Sequence, residues 1–342
     1  MIFLNCLTGC ETLSYYTQIA SGHLGILAKR KPIEDLIKDA NTSVKLKTKL
    51  QLVMEARAFA EEHLLLATDG HYLHYVDVER PYVVWNVFAA PELSITPKKW
   101  CYPIVGCASY RGYYKEELAN AYASKLSAEG YDVYIGGVAA YSTLGWFKDP
   151  VLSTFVQRSD GQLSSLIFHE LAHQKLYVAG DTTFNESFAT VIAQEGLRLW
   201  VEQKGKPEMY SQFVIQQQRQ SDFAQLIIEY RQKLNTIYLA ESSTDKNSAD
   251  LKRREKQEIY DQLRQAYQKL KIEKWQGYNG YDGWFGQDLN NAKLVTVAAY
   301  YTYVPTLEKK LVELGNDMAK FYAWCKEIGK LDNEERKKLL AP

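Results

Sequence analysis

The chain has 342 residues, enough for one large domain or two modest ones around a sizeable apolar core. Lys plus Arg and Asp plus Glu number 41 each, so no net charge draws the protein to nucleic acid or acidic lipid, and a nucleic-acid partner is excluded. No stretch approaches the roughly 20 apolar residues of a membrane helix, whereas 25 tyrosines and 7 tryptophans supply aromatic surface for a core or a substrate cleft.

The N-terminal MIFLNCLTGC is apolar and ends in small residues before Cys10. It resembles the lipobox of bacterial lipoproteins, which implies that residues 1–10 are a signal segment whose cysteine is acylated. On that reading membrane contact is made only through a lipid anchor at Cys10, and the mature chain faces the oxidising periplasmic side of the cell envelope. Residues 11–32 read as helix until Pro32, and residues 33–66 as a helical pair broken at Asn41-Thr42-Ser43, with Thr42 or Ser43 as the cap. YVVWNVFAA is β-rich in its branched and aromatic residues. Cys101 and Cys107 follow in WCYPIVGC, where a bent loop allows either a disulfide or two reduced buried thiols; an oxidising compartment favours the disulfide.

YRGYYKEELANAYASKLSAEG is expected to be helical up to Gly130, and YDVYIGGVAAY to be a strand. After the loop STLGWFKDPVLST, the helix that carries HELAH should be largely buried, because Leu163, Leu166, Ile167, Phe168, Leu171, Ala172 and Leu176 cover most of its circumference. Residues 205–275 read as an antiparallel helical hairpin inserted in a single domain of residues 11–342. Stripes of Phe223, Ile227, Tyr230, Leu234 and Ile237, and of Ile259, Leu263, Tyr267 and Leu270, flank a polar turn at 241–250. A Gly- and aromatic-rich loop at 277–287 is a candidate lid, and a final helical pair is separated by Pro305.

Chemistry concentrates in HELAH. A helix turns about 100° per residue, so His169 and His173 lie on one face and can aim ring nitrogens at one point. Glu170 sits one step round, close to a metal-bound water without ligating the metal. Buried polar groups need partners, and one divalent ion supplies a shared one. Zinc at a catalytic site takes three protein ligands and leaves a fourth position open. Gly180-Asp181 breaks the chain, Thr182 or Thr183 caps the next helix, and Glu186 in its first turn completes a His2Glu set for one Zn2+ per chain.

HELAH followed by NESFA resembles the gluzincin metallopeptidases, and NESFA is similar to the NEGFA stretch of aminopeptidase N-type members. WCYPIVGCASYRGYY, AAYSTLGWFKDP, FHELAHQ, FNESFA, LNNAKL and YYTYVP together resemble the bacterial family of predicted aminopeptidases, which are envelope lipoproteins. The resemblance implies a zincin-like core, a peptide substrate, and Glu170 as general base. It also implies a tyrosine from a later helix at the developing oxyanion, Tyr300 first and Tyr301 second. The strand before the HExxH helix, Gly136, Gly137, Val138 and Ala139, would bind the substrate backbone, with Tyr141, Trp146 and Asp149 shaping the pocket and Arg111 either meeting a substrate carboxylate or, the preferred reading, bracing Asp149. Asn185 and Thr190 are expected behind the ligands, Thr190 standing where thermolysin-type members carry an aspartate. No acid occurs in GGVAAY to hold a free α-amine, which leaves aminopeptidase and endopeptidase or processing activity both open. A non-catalytic lipoprotein that binds a partner through the hairpin is the reading from another class. The sequence carries no signal for an oligomeric state. The expected fold class is α+β, mostly α-helical: a zincin-like catalytic core with a small β-sheet edge and a protruding antiparallel helical hairpin.

Overall fold

The structure is a computed structural model that describes residues 6–102, 106–141, 143, 147–205, 207–240 and 246–341. In chain order its elements are α1 (Cys6–Ala28), β1 (Lys31–Pro32), α2 (Ile33–Lys38), α3 (Val44–His63), β2 (His74–Val76), β3 (Val84–Pro91), β4 (Trp100–Tyr102) and β5 (Gly106–Ala108). Then come β6 (Arg111–Tyr113), α4 (Glu116–Ala128), β7 (Tyr131–Val138), β8 (Val151–Leu152), α5 (Ser153–Val156), α6 (Asp160–Lys175) and α7 (Thr182–Lys204). The chain ends with α8 (Pro207–Leu239), α9 (Lys246–Glu273), α10 (Asp282–Phe285), α11 (Asn291–Tyr301), α12 (Val304–Glu313), α13 (Met318–Ile328) and α14 (Asn333–Leu340). This is a mostly helical α+β fold with small sheets. No helix among the described residues is long and apolar enough to cross a membrane.

The chain divides into two compact units, one of Met1–Val87, Arg111–Tyr122 and Ile135–Lys175, the other of Phe88–Tyr110, Ala123–Tyr134 and Leu176–Pro342. In the first, β1 pairs antiparallel with β2 and β2 parallel with β8. Ser43 caps α3 by accepting from the Leu46 N–H at 3.3 Å, satisfying one of the donors that a helix start leaves open. Val53, Ala56 and Phe59 of α3 and Leu163, Ile167 and Phe168 of α6 are buried, and the two helices pack with Phe59 and Phe168 at 5.6 Å between ring centres. Val44, the residue directly after the cap, is exposed.

One sequence expectation fails in this unit. The helix expected from Tyr110 begins only at Glu116, because Arg111–Tyr113 instead pairs antiparallel with β3, Trp85 opposite Tyr113 and Asn86 opposite Gly112. Gly112 fits this pairing: a Cβ there would lie 3.1 Å from Asn86 Oδ1. The Arg111 guanidinium lies 3.9 Å from the Tyr15 ring centre and 4.6 Å from that of Tyr122. The bracing expected of it falls to others: the Asp149 carboxylate accepts from the Thr143 N–H at 3.0 Å, and the Asp149 N–H donates to His71 Nδ1 at 3.1 Å.

In the second unit α11, α12 and α8 pack on α7. The α8–α9 hairpin is present, but its stripes do not stand bare. Phe223, Ile227, Tyr230, Leu234, Tyr260, Leu263 and Tyr267 form one core with Trp275, Phe285, Leu289, Leu294 and Val297. Tyr260 fills the place expected of Ile259, which is only partly buried. Phe285 stacks on Tyr267 at 3.9 Å, so the Gly-rich segment is packed into this core. Asn291, from LNNAKL, ties the hairpin down. Its side chain donates to the backbone oxygens of Pro91 and Glu92 at 3.1 and 2.8 Å and accepts from Tyr260 Oη at 2.7 Å. Its own N–H donates to Asp132, which also binds Lys256 at 2.7 Å. After Pro305, which sits in the first turn of α12, the chain forms α13 and α14 as well, so the C-terminal segment holds four helices where a pair was expected. Residues 241–245 of the hairpin turn lie outside the described residues.

Leu263 has no exposed surface. Leu263→Ala is expected to destabilise the protein by about 2–5 kcal/mol through lost burial and the cavity left behind, read as a lowered urea midpoint.

Candidate metal centre

Helix α6 carries His169, Glu170 and His173, with His169 half-buried and the other two buried. The histidine rings stand at 86° with centres 4.9 Å apart. Five residues separate α6 from the Asp181 cap of α7, and Gly180 takes φ +82° in that turn, a left-handed conformation that favours glycine. Asp181, and not the expected Thr182 or Thr183, caps α7: its carboxylate accepts from the Phe184 N–H at 2.9 Å. An earlier cap puts Glu186 at the fifth helical position, one turn above the cap rather than in the first turn. The other Asp181 oxygen binds Arg336 Nε at 2.7 Å, a buried ion pair. Asn185, expected behind the ligands, spans the turn itself: its side chain accepts from the Val178 N–H and donates to the Val178 carbonyl, both at 2.8 Å. Ser187 accepts from the Tyr303 N–H at 3.3 Å. Thr190 is half-buried on α7.

The outcome is a convergence of three donors. One ligand atom each from His169, His173 and Glu186 lies within 4.8 Å of the others. Donors around a tetrahedral zinc, with bonds near 2.1 Å, stand roughly 3.4 Å apart, and a set this close could hold a metal ion. Two imidazoles and one carboxylate are the ligand chemistry that zinc takes at an open site.

The surroundings carry two tyrosines of note. Tyr301 accepts a hydrogen bond from the Gln220 amide. Burial raises its pKa, with Tyr281 and the Glu186 charge adding to the rise while the Gln220 contact opposes it, so the phenol stays protonated and remains a donor. The side chains of Tyr300 and Cys10, and Trp146 altogether, lie outside the described residues. Tyr72 is the residue that sequence reasoning missed. It is buried at φ +58°, its hydroxyl has no hydrogen-bond partner among the described residues, and burial, then the Glu170 and Asp149 charges, raise its pKa. The only local signal was the Asp69-Gly70 turn pair just before it.

The expected substrate strand is β7, at the edge of the sheet β6-β3-β7, with Gly136, Gly137 and Val138 in it and Ala139 just after. The close approach that Gly137 permits is made by the Tyr82 ring. Tyr141 turns its hydroxyl to His23 Nδ1 at 2.9 Å, beside Tyr114, and burial raises its pKa. Cys101 and Cys107 form a disulfide across directly opposed positions of β4 and β5.

A family model described as "Putative aminopeptidase" matches residues 14–340. The chain belongs to that aminopeptidase family. No curated protein and no solved structure matches it.

Burial holds the His23 pKa below its ordinary 6.5. The unfolded chain then binds that proton more readily, so the stability contributed is present above the unfolded pKa and is lost as pH falls through the folded one. The urea midpoint is expected to drop between pH 7 and pH 5, and the drop to shrink in His23→Gln.

Proposed function

We propose that this member of the aminopeptidase family is a zinc-dependent peptidase of gluzincin type that removes N-terminal residues from peptides. The observation that carries the reading is the convergence of His169, His173 and Glu186 in a chain that also places Glu170 directly beside the first ligand on the same helix. A purely structural metal site has no use for that carboxylate.

Zinc held by these three side chains would polarise a water and the scissile carbonyl. Glu170 takes the proton of the attacking water and delivers it to the leaving amine. A protonated tyrosine at the oxyanion adds a hydrogen bond that strengthens as charge develops. Tyr301, kept neutral by burial, suits that task, and Tyr300 is its neighbour on α11. The edge strand β7, through Gly136, Gly137, Val138 and Ala139, offers backbone groups to an extended substrate, and Tyr141 borders its end. Asn185 steadies the turn that leads to Glu186.

The LTGC sequence supports acylation at Cys10 and anchorage in a bacterial envelope, facing the periplasm. The Cys101–Cys107 disulfide is consistent with that oxidising side. The absence of an acid in GGVAAY favours the endopeptidase reading as the second choice.

Purified protein is expected to carry one zinc per chain by mass spectrometry, and His169→Ala/His173→Ala to carry none. Glu170→Gln should keep the metal and lose about 10²–10⁴-fold in turnover. Cleavage of amino-acid p-nitroanilides but not of N-blocked peptides identifies the aminopeptidase; the reverse identifies the endopeptidase. A wild type that takes up no zinc after dialysis against it would overturn the reading.

A further inference from the structure

The disulfide-closed hairpin β4–β5 has no part in the chemistry above, yet Gly106, the first residue of β5, meets the turn that launches α7. Gly106 takes φ +79°, and a Cβ on it would lie 2.7 Å from Gly180 N, 3.1 Å from Gly180 Cα and 3.2 Å from the Ala179 carbonyl carbon. These are backbone atoms, which cannot swing aside as a flexible side chain does. The contact is therefore backbone on backbone, and both partners are glycines in left-handed conformations. On another side of the same turn, a Cβ on Gly329 would lie 3.1 Å from Val178 Cγ2, so α13 ends against it. Asn185 spans the turn from within, and Asp181 closes it with the α7 cap and the Arg336 ion pair.

We propose that the Cys101–Cys107 hairpin is a positioning element for Glu186. By holding Gly106 against Gly180 it fixes where α7 starts, and so where the Glu186 carboxylate stands relative to the two histidines. The cysteines are opposed in register, Cys101 to Cys107 and Tyr102 to Gly106, so the covalent bond acts one residue from the contact. A bond that closes so short a loop removes less freedom from the unfolded chain than one that closes a long loop. Its effect falls on the local shape of the hairpin, which is what the contact with Gly180 uses. Two short strands alone make a marginal hairpin, and the disulfide compensates for that.

The inference rests on the metal reading of His169, His173 and Glu186. The test is the zinc dissociation constant, measured by competition with a chromogenic chelator. It compares wild type, Cys101→Ser/Cys107→Ser, Gly106→Ala, and Leu263→Ala as a variant weakened away from the turn. Groups that orient a ligand without touching the metal typically change affinity by roughly 10–100-fold. Both hairpin variants are expected to bind zinc that much more weakly, with faster amide exchange at Val178 and Phe184, while Leu263→Ala binds as wild type does. Gly106→Ala keeps the disulfide and decides the question if the double cysteine variant does not fold. Unchanged affinity in the hairpin variants, or an equal loss in Leu263→Ala, overturns the proposal and leaves the metal site standing. A wild type that binds no zinc overturns both.

Discussion

One carboxylate sets the geometry on which the candidate centre depends. Asp181 caps α7 with one oxygen and neutralises Arg336 with the other. A buried guanidinium without a counter-charge is costly, and a helix start without an acceptor leaves amide donors unmet. A single side chain resolves both. In doing so it fixes the first residue of α7, and with it the rotational phase at which Glu186 leaves the helix. Helical phase is unforgiving: a start displaced by one residue turns every later side chain by about 100°. The placement of Glu186 on α7 is thus set from a position five residues earlier, by an ion pair to α14.

The parts of this arrangement that depend on local spacing were legible in the sequence. His169 and His173 share a helical face whatever surrounds them, and Gly180-Asp181 marks a break wherever it stands. Thr182 and Thr183 are themselves good capping residues, so the sequence alone points one or two residues past the true cap, and what selects Asp181 is Arg336, 155 positions away. The same limit explains Arg111–Tyr113. The helix-forming residues that follow it extend the helical pattern across it, and its strand state depends on pairing with Trp85 and Val87, which no window of sequence contains. Tyr72 shows the third kind of blindness: a lone tyrosine among 25 gains its interest only from a buried, unsatisfied hydroxyl.

The hairpin α8–α9 was legible as two amphipathic helices, yet its purpose in the fold was not. Amphipathic stripes declare that a face will be buried without naming what covers it. Here the cover is the aromatic segment around Trp275 and Phe285, and the polar node at Asn291 selects the register. Aromatic packing supplies area, and the hydrogen-bonded amide supplies uniqueness, since a slipped hairpin would leave a buried Asn unsatisfied.

The division of the chain into two units has a consequence for synthesis. The unit that ends at Lys175 is interrupted by Phe88–Tyr110 and Ala123–Tyr134, which belong to the other unit. As the polypeptide leaves the ribosome, these two inserts emerge before any part of Leu176–Pro342, and Asp132 must wait for Lys256 and Asn291. Phe88 can meet its ring partners Tyr110 and Tyr134 before then, whereas the polar node at Asp132 stays open until the C-terminal helices are made. A nascent chain of this topology carries the Asp132 carboxylate without its cation for the 124 residues that separate it from Lys256.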